Sequence, residues 1–196
     1  MKKFFLALIS VLTCVGAGAQ NNVTVDMAAY PAALARFTSG TQISPADAAT
    51  VYYGSAQQSG FNPQADYVSV TNLYTSGDIA GAYDAAIAAL KSDPANLQLL
   101  FKAYACAVAL KKPDAASLQA RLMAVCDAIF ASGKGVMTES PYLITHTADI
   151  NEFLVKYIQV KSILGTSGID RIHAVKVALE DYPDDVIFYF LPYTAR

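Results

Sequence analysis

Between Gly77 and Gln98 the chain reads GDIAGAYDAAIAALKSDPANLQ, an alanine-rich helix, a turn, and the start of a second helix. Ala82, Ile87 and Leu90 contribute to one apolar face, with Tyr83 and Ala86 beside them. Asp78 is placed to cap the first helix, and SDPANLQ closes it and opens the next. In that next helix Leu97, Leu100, Phe101, Tyr104 and Val108 recur at three- and four-residue spacing. After KKPDAA, Leu118, Leu122, Val125 and Ile129 continue the period until ASGKG ends the helical region at Gly133. A chain built this way must pair its helices into hairpins.

Tetratricopeptide repeats also pair helices, with a period of about 34 residues, and need about three copies for a free-standing solenoid. Two TPR-like units are readable here and no third. The helical pairs are therefore expected to act as a scaffold closed by something else, not as a peptide-binding superhelix. Upstream, a short helix is expected from Pro31 to Phe37, ended by Gly40. A second starts at the Ser44 cap with Pro45 in its first turn and stops near Gly60. A third covers QADYVSVTNLYTSGD.

The last third supplies the closing element. YIQVKSIL, DRIHAVKVA and DVIFYFLPY read as strands, joined by turns at GTSG and DYPDD. Short connections favour an antiparallel meander. VIFYF is apolar on both faces and belongs at the sheet centre or under a helix. In the second strand Ile172 and Ala174 share one face. Arg171, His173, Val175 and Val177 share the other, whose mixed character predicts partial exposure. The fold class is α+β: TPR-like antiparallel helical hairpins over residues 20–133, then a small antiparallel β-meander in a C-terminal region, residues 134–196, packed on them. With 54% hydrophobic residues the chain has ample core material for one compact domain.

The N-terminus is a basic MKK, an apolar run and a small-x-small AGA at Ala17–Ala19, the pattern of a signal peptide over residues 1–19. Export to the periplasm or beyond after cleavage at Ala19 is the expectation. Lipidation at Cys14 is disfavoured, because Thr13 precedes it where a lipobox carries a small residue. No later stretch is long enough to span a bilayer. The formal net charge is −2 and no Lys/Arg run is present, so nucleic acid is not an expected partner. Cys106 and Cys126 sit at unequal distances from the KKPDAA turn, an axial offset of about 9 Å at about 1.5 Å per residue. An oxidising compartment permits a disulfide between them; the offset argues against one and favours two buried thiols.

The leader, ISPADAATVYYGSAQQSGFNP, DPANLQLLFKAYACAVAL, RLMAVCDAIFASGKG, PYLITHTADINEFL and the closing VIFYFLPY occur in an order that resembles a family of secreted bacterial proteins, the domain of unknown function 4919. The resemblance spans nearly the whole mature chain. It implies this fold and export, and carries no activity, cofactor or ligand.

Candidate binding residues are the aromatics Tyr52, Tyr53, Phe61 and Tyr67, together with His146. Tyr52 and Tyr53 point about 100° apart on a helix, which predicts one of them at a groove. His146, Asp149 and Glu152 fall at i, i+3 and i+6. On a continuous helix they offer ligands to a metal or a base to a hydrolase, provided they converge within about 3 Å of a shared point. The competing reading makes Asp149 an N-cap with Glu152 at N3, close to a capping box. The chain contains no G-x-S-x-G elbow and no phosphate loop, and with two histidines it has no three-histidine zinc site. The expected function is therefore a non-catalytic interaction or ligand-binding module, with no cofactor, no metal, and a protein or peptide partner in the cell envelope. The alternative is a hydrolase or metal-binding enzyme built on His146.

Overall fold

A computed structural model describes residues 23–41 and 43–194. The signal peptide expected at residues 1–19 lies outside the described residues. Among the described residues six helices come first: α1 (Tyr30–Ser39), α2 (Pro45–Ser55), α3 (Val68–Thr75), α4 (Ile79–Ala89), α5 (Leu97–Ala109) and α6 (Ala115–Ala131). Strand β1 (Tyr142–Ile144) follows. The one-turn helix α7 (Asp149–Glu152) then runs into a π-helical stretch, Phe153–Ile158. Three strands finish the fold: β2 (Ser162–Ile169), β3 (Ile172–Ala178) and β4 (Val186–Pro192).

The helix ends follow from their capping residues. Ser44 accepts from the Asp47 amide, Asp78 from Gly81 and Asn96 from Leu99, each satisfying an orphan N–H at a helix start. Gly40 closes α1 at φ +69°, in the left-handed region that glycine enters without strain. The buried carboxylate of Asp47 also takes a two-pronged ion pair from Arg36, tying α1 to α2 at 2.6 and 2.9 Å.

Consecutive helices pack against each other from α3 to α6, and α6 also packs on α1, α2 and β1. Leu118, Leu122, Val125 and Ile129 form the buried stripe of α6, as their spacing predicts. Helix α5 is rotated from expectation. Its buried side chains are Leu97, Leu99, Leu100, Lys102, Ala103, Cys106 and Ala107, while Phe101 and Tyr104 are half-buried and Val108 is 52% exposed. The reason is that α5 is covered on several sides, by α3, α4, α6 and α7. Small residues (Ala103, Cys106, Ala107) let those neighbours approach closely. Cys106 and Cys126 are both buried and neither is in a disulfide. Burial holds both thiols above their ordinary pKa.

The sheet order is β1-β4-β3-β2. Strands β2, β3 and β4 form the expected antiparallel meander, and β1 adds a parallel edge, with Tyr142 opposite Phe190 and Ile144 opposite Pro192. Strand β4 is thus internal, as its two-sided apolar run requires. The side of β3 expected to be partly exposed is instead core at Val175 and Val177, opposite Phe188 and Val186. Two boundaries also differ. Tyr157 and Ile158 belong to the π-helical stretch, so β2 begins only at Ser162. GTSG lies inside β2 and does not turn the chain. The reversal is made after Ile169 by Asp170, at φ +55°, an aspartate tolerating the left-handed region. Gly135 is a second forced glycine. At φ +73° its missing Cβ makes room for the Tyr142 ring, and its carbonyl accepts from the Tyr189 amide of β4 at 2.7 Å.

One contiguous apolar cluster runs from Phe37, Val51 and Tyr53 through Leu99 and Ile129 to Phe153, Val175 and Phe190, joining helices and sheet. The rotated face of α5 gives a direct test by urea unfolding. Leu99→Ala is expected to lose about 2–5 kcal/mol, and Val108→Ala less than about 0.5 kcal/mol. Equal losses at the two positions would contradict this orientation.

Candidate functional site

The segment THTAD after β1 is pinned against the helices by buried polar groups. His146 is 2% exposed. Its Nδ1 lies 3.1 Å from Thr145 Oγ1 and 3.7 Å from Asp149 Oδ2, and its Nε2 lies 3.1 Å from Asp93 Oδ2. The Nε2 contact with Asp93 is an ion pair when the imidazole is protonated. Asp93 comes from the SDPANLQ junction between α4 and α5. Its Oδ2 also accepts from Tyr67 Oη and from Asn96 Nδ2, both at 3.0 Å. On the other side, Tyr52 Oη donates to Asp149 Oδ2 at 2.6 Å and accepts from the Thr145 amide at 3.0 Å.

This network joins α2, the entry to α3, the α4–α5 junction and the β1–α7 connection. Asp149 does not cap α7. Ala148 occupies the cap position, no side chain bonds the free amides there, and the Asp149 carboxylate turns inward to Tyr52. The phenol is a stronger claim on the carboxylate than the cap, because an unpaired hydroxyl and carboxylate in the core would each cost more than an unpaired amide near a helix end. Glu152 is not part of the cluster and faces Lys102 at 4.0 Å.

Burial alone would lower the His146 pKa. Hydrogen bonding and charge from Asp149 and Asp93 outweigh it and hold the imidazole at about 9. Burial and the neighbouring Asp149 push the Tyr52 phenol well above its usual range, so it stays a donor.

The five predicted binding residues separate into two groups. Tyr52 and Tyr53 are both fully buried, where one was expected at a groove. Tyr53 is enclosed because its hydroxyl reaches Ala128 O of α6 and Leu143 O of β1, each at 3.2 Å. Helix α2 is covered on both of the faces these rings occupy. Phe61 and Tyr67 are half-buried and line a cleft of about 200 Å³, together with Tyr30, Gln58, Ser92 and Asp93. His146 stands directly behind Phe61, ring centroids 4.8 Å apart, but does not line the cleft. His173 sits on β3 in a separate open depression with Thr147, Asn151 and Thr166, and neither His146 nor Asp149 lines it. Asp93 was missed by the sequence reading. In hindsight Asp93 and Asn96 pointed to it, an acid and an amide flanking a helix start with more polar capacity than one cap consumes.

Among the described residues no group of three or more His, Cys, Asp and Glu side chains is disposed to hold a metal. No helix among the described residues is long and apolar enough to cross a membrane.

The His146 ion pairs predict a pH dependence of stability. The folded-state pKa of about 9 lies above the ordinary 6.5. The stabilisation is therefore complete below pH 6.5 and is lost as pH rises through about 9, a decline of about 3 kcal/mol. Urea midpoints measured from pH 6 to 9 should fall in the native protein. His146→Gln should be less stable at pH 6 and show a flatter profile, which separates this effect from thiols and phenols ionising at the alkaline end. An unchanged slope in His146→Gln would assign the dependence elsewhere.

Comparison with family models matches residues 19–190 to one described as Domain of unknown function (DUF4919). No curated protein and no solved structure matches the chain.

Proposed function

The chain belongs to the DUF4919 family, and from that premise we propose that it is a non-catalytic, exported binding module whose ligand enters the cleft walled by Phe61 and Tyr67. The observation that carries this reading is the division between a sealed network and an open cleft. The groups with catalytic potential, Thr145, His146 and Asp149, are 4%, 2% and 0% exposed, and none lines the cleft. Phe61, which lines the cleft, packs against the His146 ring with 4.8 Å between centroids. The adjoining cleft is accessible, has aromatic walls and a few polar groups, and has one buried acid in its lining, which is the usual character of a ligand site.

A hydrolase centred on His146 with Asp149 and Glu152 is the weaker reading. Asp149 approaches, but Glu152 is engaged with Lys102, and the hydroxyl on the imidazole among the described residues is that of its buried neighbour Thr145. The TPR-like helical pairs take the part of a scaffold here. They hold the α4–α5 junction, and with it Asp93, against the loop that carries Phe61. Export is supported by the leader pattern, and by a family match that starts at residue 19, where that pattern ends. A partner in the cell envelope follows from export together with the cleft.

Two measurements test this. First, the envelope fraction should contain a chain beginning at Gln20, seen by intact mass. A full-length chain there, or one carrying lipid at Cys14, would refute cleavage at Ala19. Second, amide NMR titration with neutral, cationic and anionic fragments should move resonances of residues 58–62 and of Ser92 and Asp93. If no fragment moves them, the cleft is not a binding site.

A further inference from the structure

The cleft is chemically one-sided. Its lining contains one charged side chain, Asp93, and no lysine, arginine or histidine. Asp93 is 8% exposed, and its Oδ2 already receives Tyr67, Asn96 and the His146 imidazole. Its Oδ1 is buried with no hydrogen-bond partner among the described residues. A carboxylate oxygen left in that state is costly, and a donor that reaches it recovers the cost.

We propose that this cleft binds a primary alkylammonium group, with Asp93 as counter-ion and Phe61 and Tyr67 as the aromatic walls; the inference rests on the cleft being the ligand site. An ammonium brings both what Oδ1 lacks, an N–H donor, and a positive charge. The charge count of the buried cluster points the same way. Asp93 and Asp149 face a single imidazolium, so the cluster holds one more negative group than positive ones. Aromatic faces attract a cation further once water is displaced. Tyr67 adds its phenol oxygen, fixed by donation to Asp93.

Other ligand classes fit less well. An anion meets a carboxylate and no basic group. A divalent metal finds one carboxylate and no histidine, cysteine or second acid in the lining. A volume of about 200 Å³ accepts a chain of a few carbons and not a folded segment. The same ammonium occurs on a free small amine and at the tip of a lysine side chain, and the probes below separate the two.

The test uses n-butylammonium, n-butanol and butyrate, matched in size, titrated into the protein and followed by amide NMR. Butylammonium should shift residues 60–62, Ser92 and Asp93 saturably, at least about tenfold more tightly than either other probe. Asp93→Asn should weaken butylammonium by about tenfold or more relative to butanol. Should that variant fail to fold, the three-probe comparison on the native protein decides alone. Nα-acetyl-lysine methylamide tests the lysine source. Its binding at the same amides assigns a protein side chain as the natural ligand, and its failure beside a positive butylammonium assigns a free amine. Butanol binding as well as butylammonium would overturn the ammonium inference. So would an anion or neutral fragment occupying a cleft that butylammonium leaves untouched, although the cleft would then stand as a site. Silence from every probe and fragment would remove both.

Discussion

The contact on which the remaining architecture depends is the charged chain Asp93–His146–Asp149. These three groups come from two segments separated by more than fifty positions, and they meet where helices and sheet are joined. A buried imidazolium between two carboxylates is tolerable only when every member is held in place. The holding is done by Tyr52, Tyr67, Asn96 and Thr145. Because the network is polar, it is directional. An apolar plug of the same volume would keep α2 near β1 but would not fix the rotation of α7 or the approach of the α4–α5 junction.

That directionality also explains the contrast between cleft and core. Phe61 rests on the His146 ring and Tyr67 on the Asp93 carboxylate. The walls of the cleft are therefore positioned by the groups that seal the interior. A single acid serves both, with one oxygen committed to the network and the other unpartnered among the described residues. A structural strut and the acid of the proposed ligand site are one side chain, so substitutions at Asp93 act on both at once.

The helices were legible in the sequence because their signals are local. Ser44, Asp78, Gly40 and the stripe of α6 each act within a few residues. What escaped depends on distant partners. The face of α5 was set by how many elements cover it, not by its own period. Asp149 looked like a cap because a capping box is a short-range pattern. Its real partner, Tyr52, is 97 positions away. GTSG looked like a turn because glycine and serine favour turns. In β2, an edge strand with little burial to enforce side-chain choice, the same residues are merely tolerated. Of the candidate site, Phe61, Tyr67 and His146 were visible as residue types, but the convergence on Asp93 was not, since nothing local brings the α4–α5 junction to the strand that precedes α7.

The parallel pairing of β1 with β4 has a kinetic consequence. Strand β1 finds its one sheet neighbour among the described residues in a segment more than forty residues further along, whereas α3 to α6 are stabilised by contacts between successive elements. Chains rich in near-neighbour contacts gain order early, and pairings across long loops are made late. The helical layer can therefore assemble while β1 is still a free end. The pairing of β1 in the sheet therefore waits for β4, the last strand in the sequence.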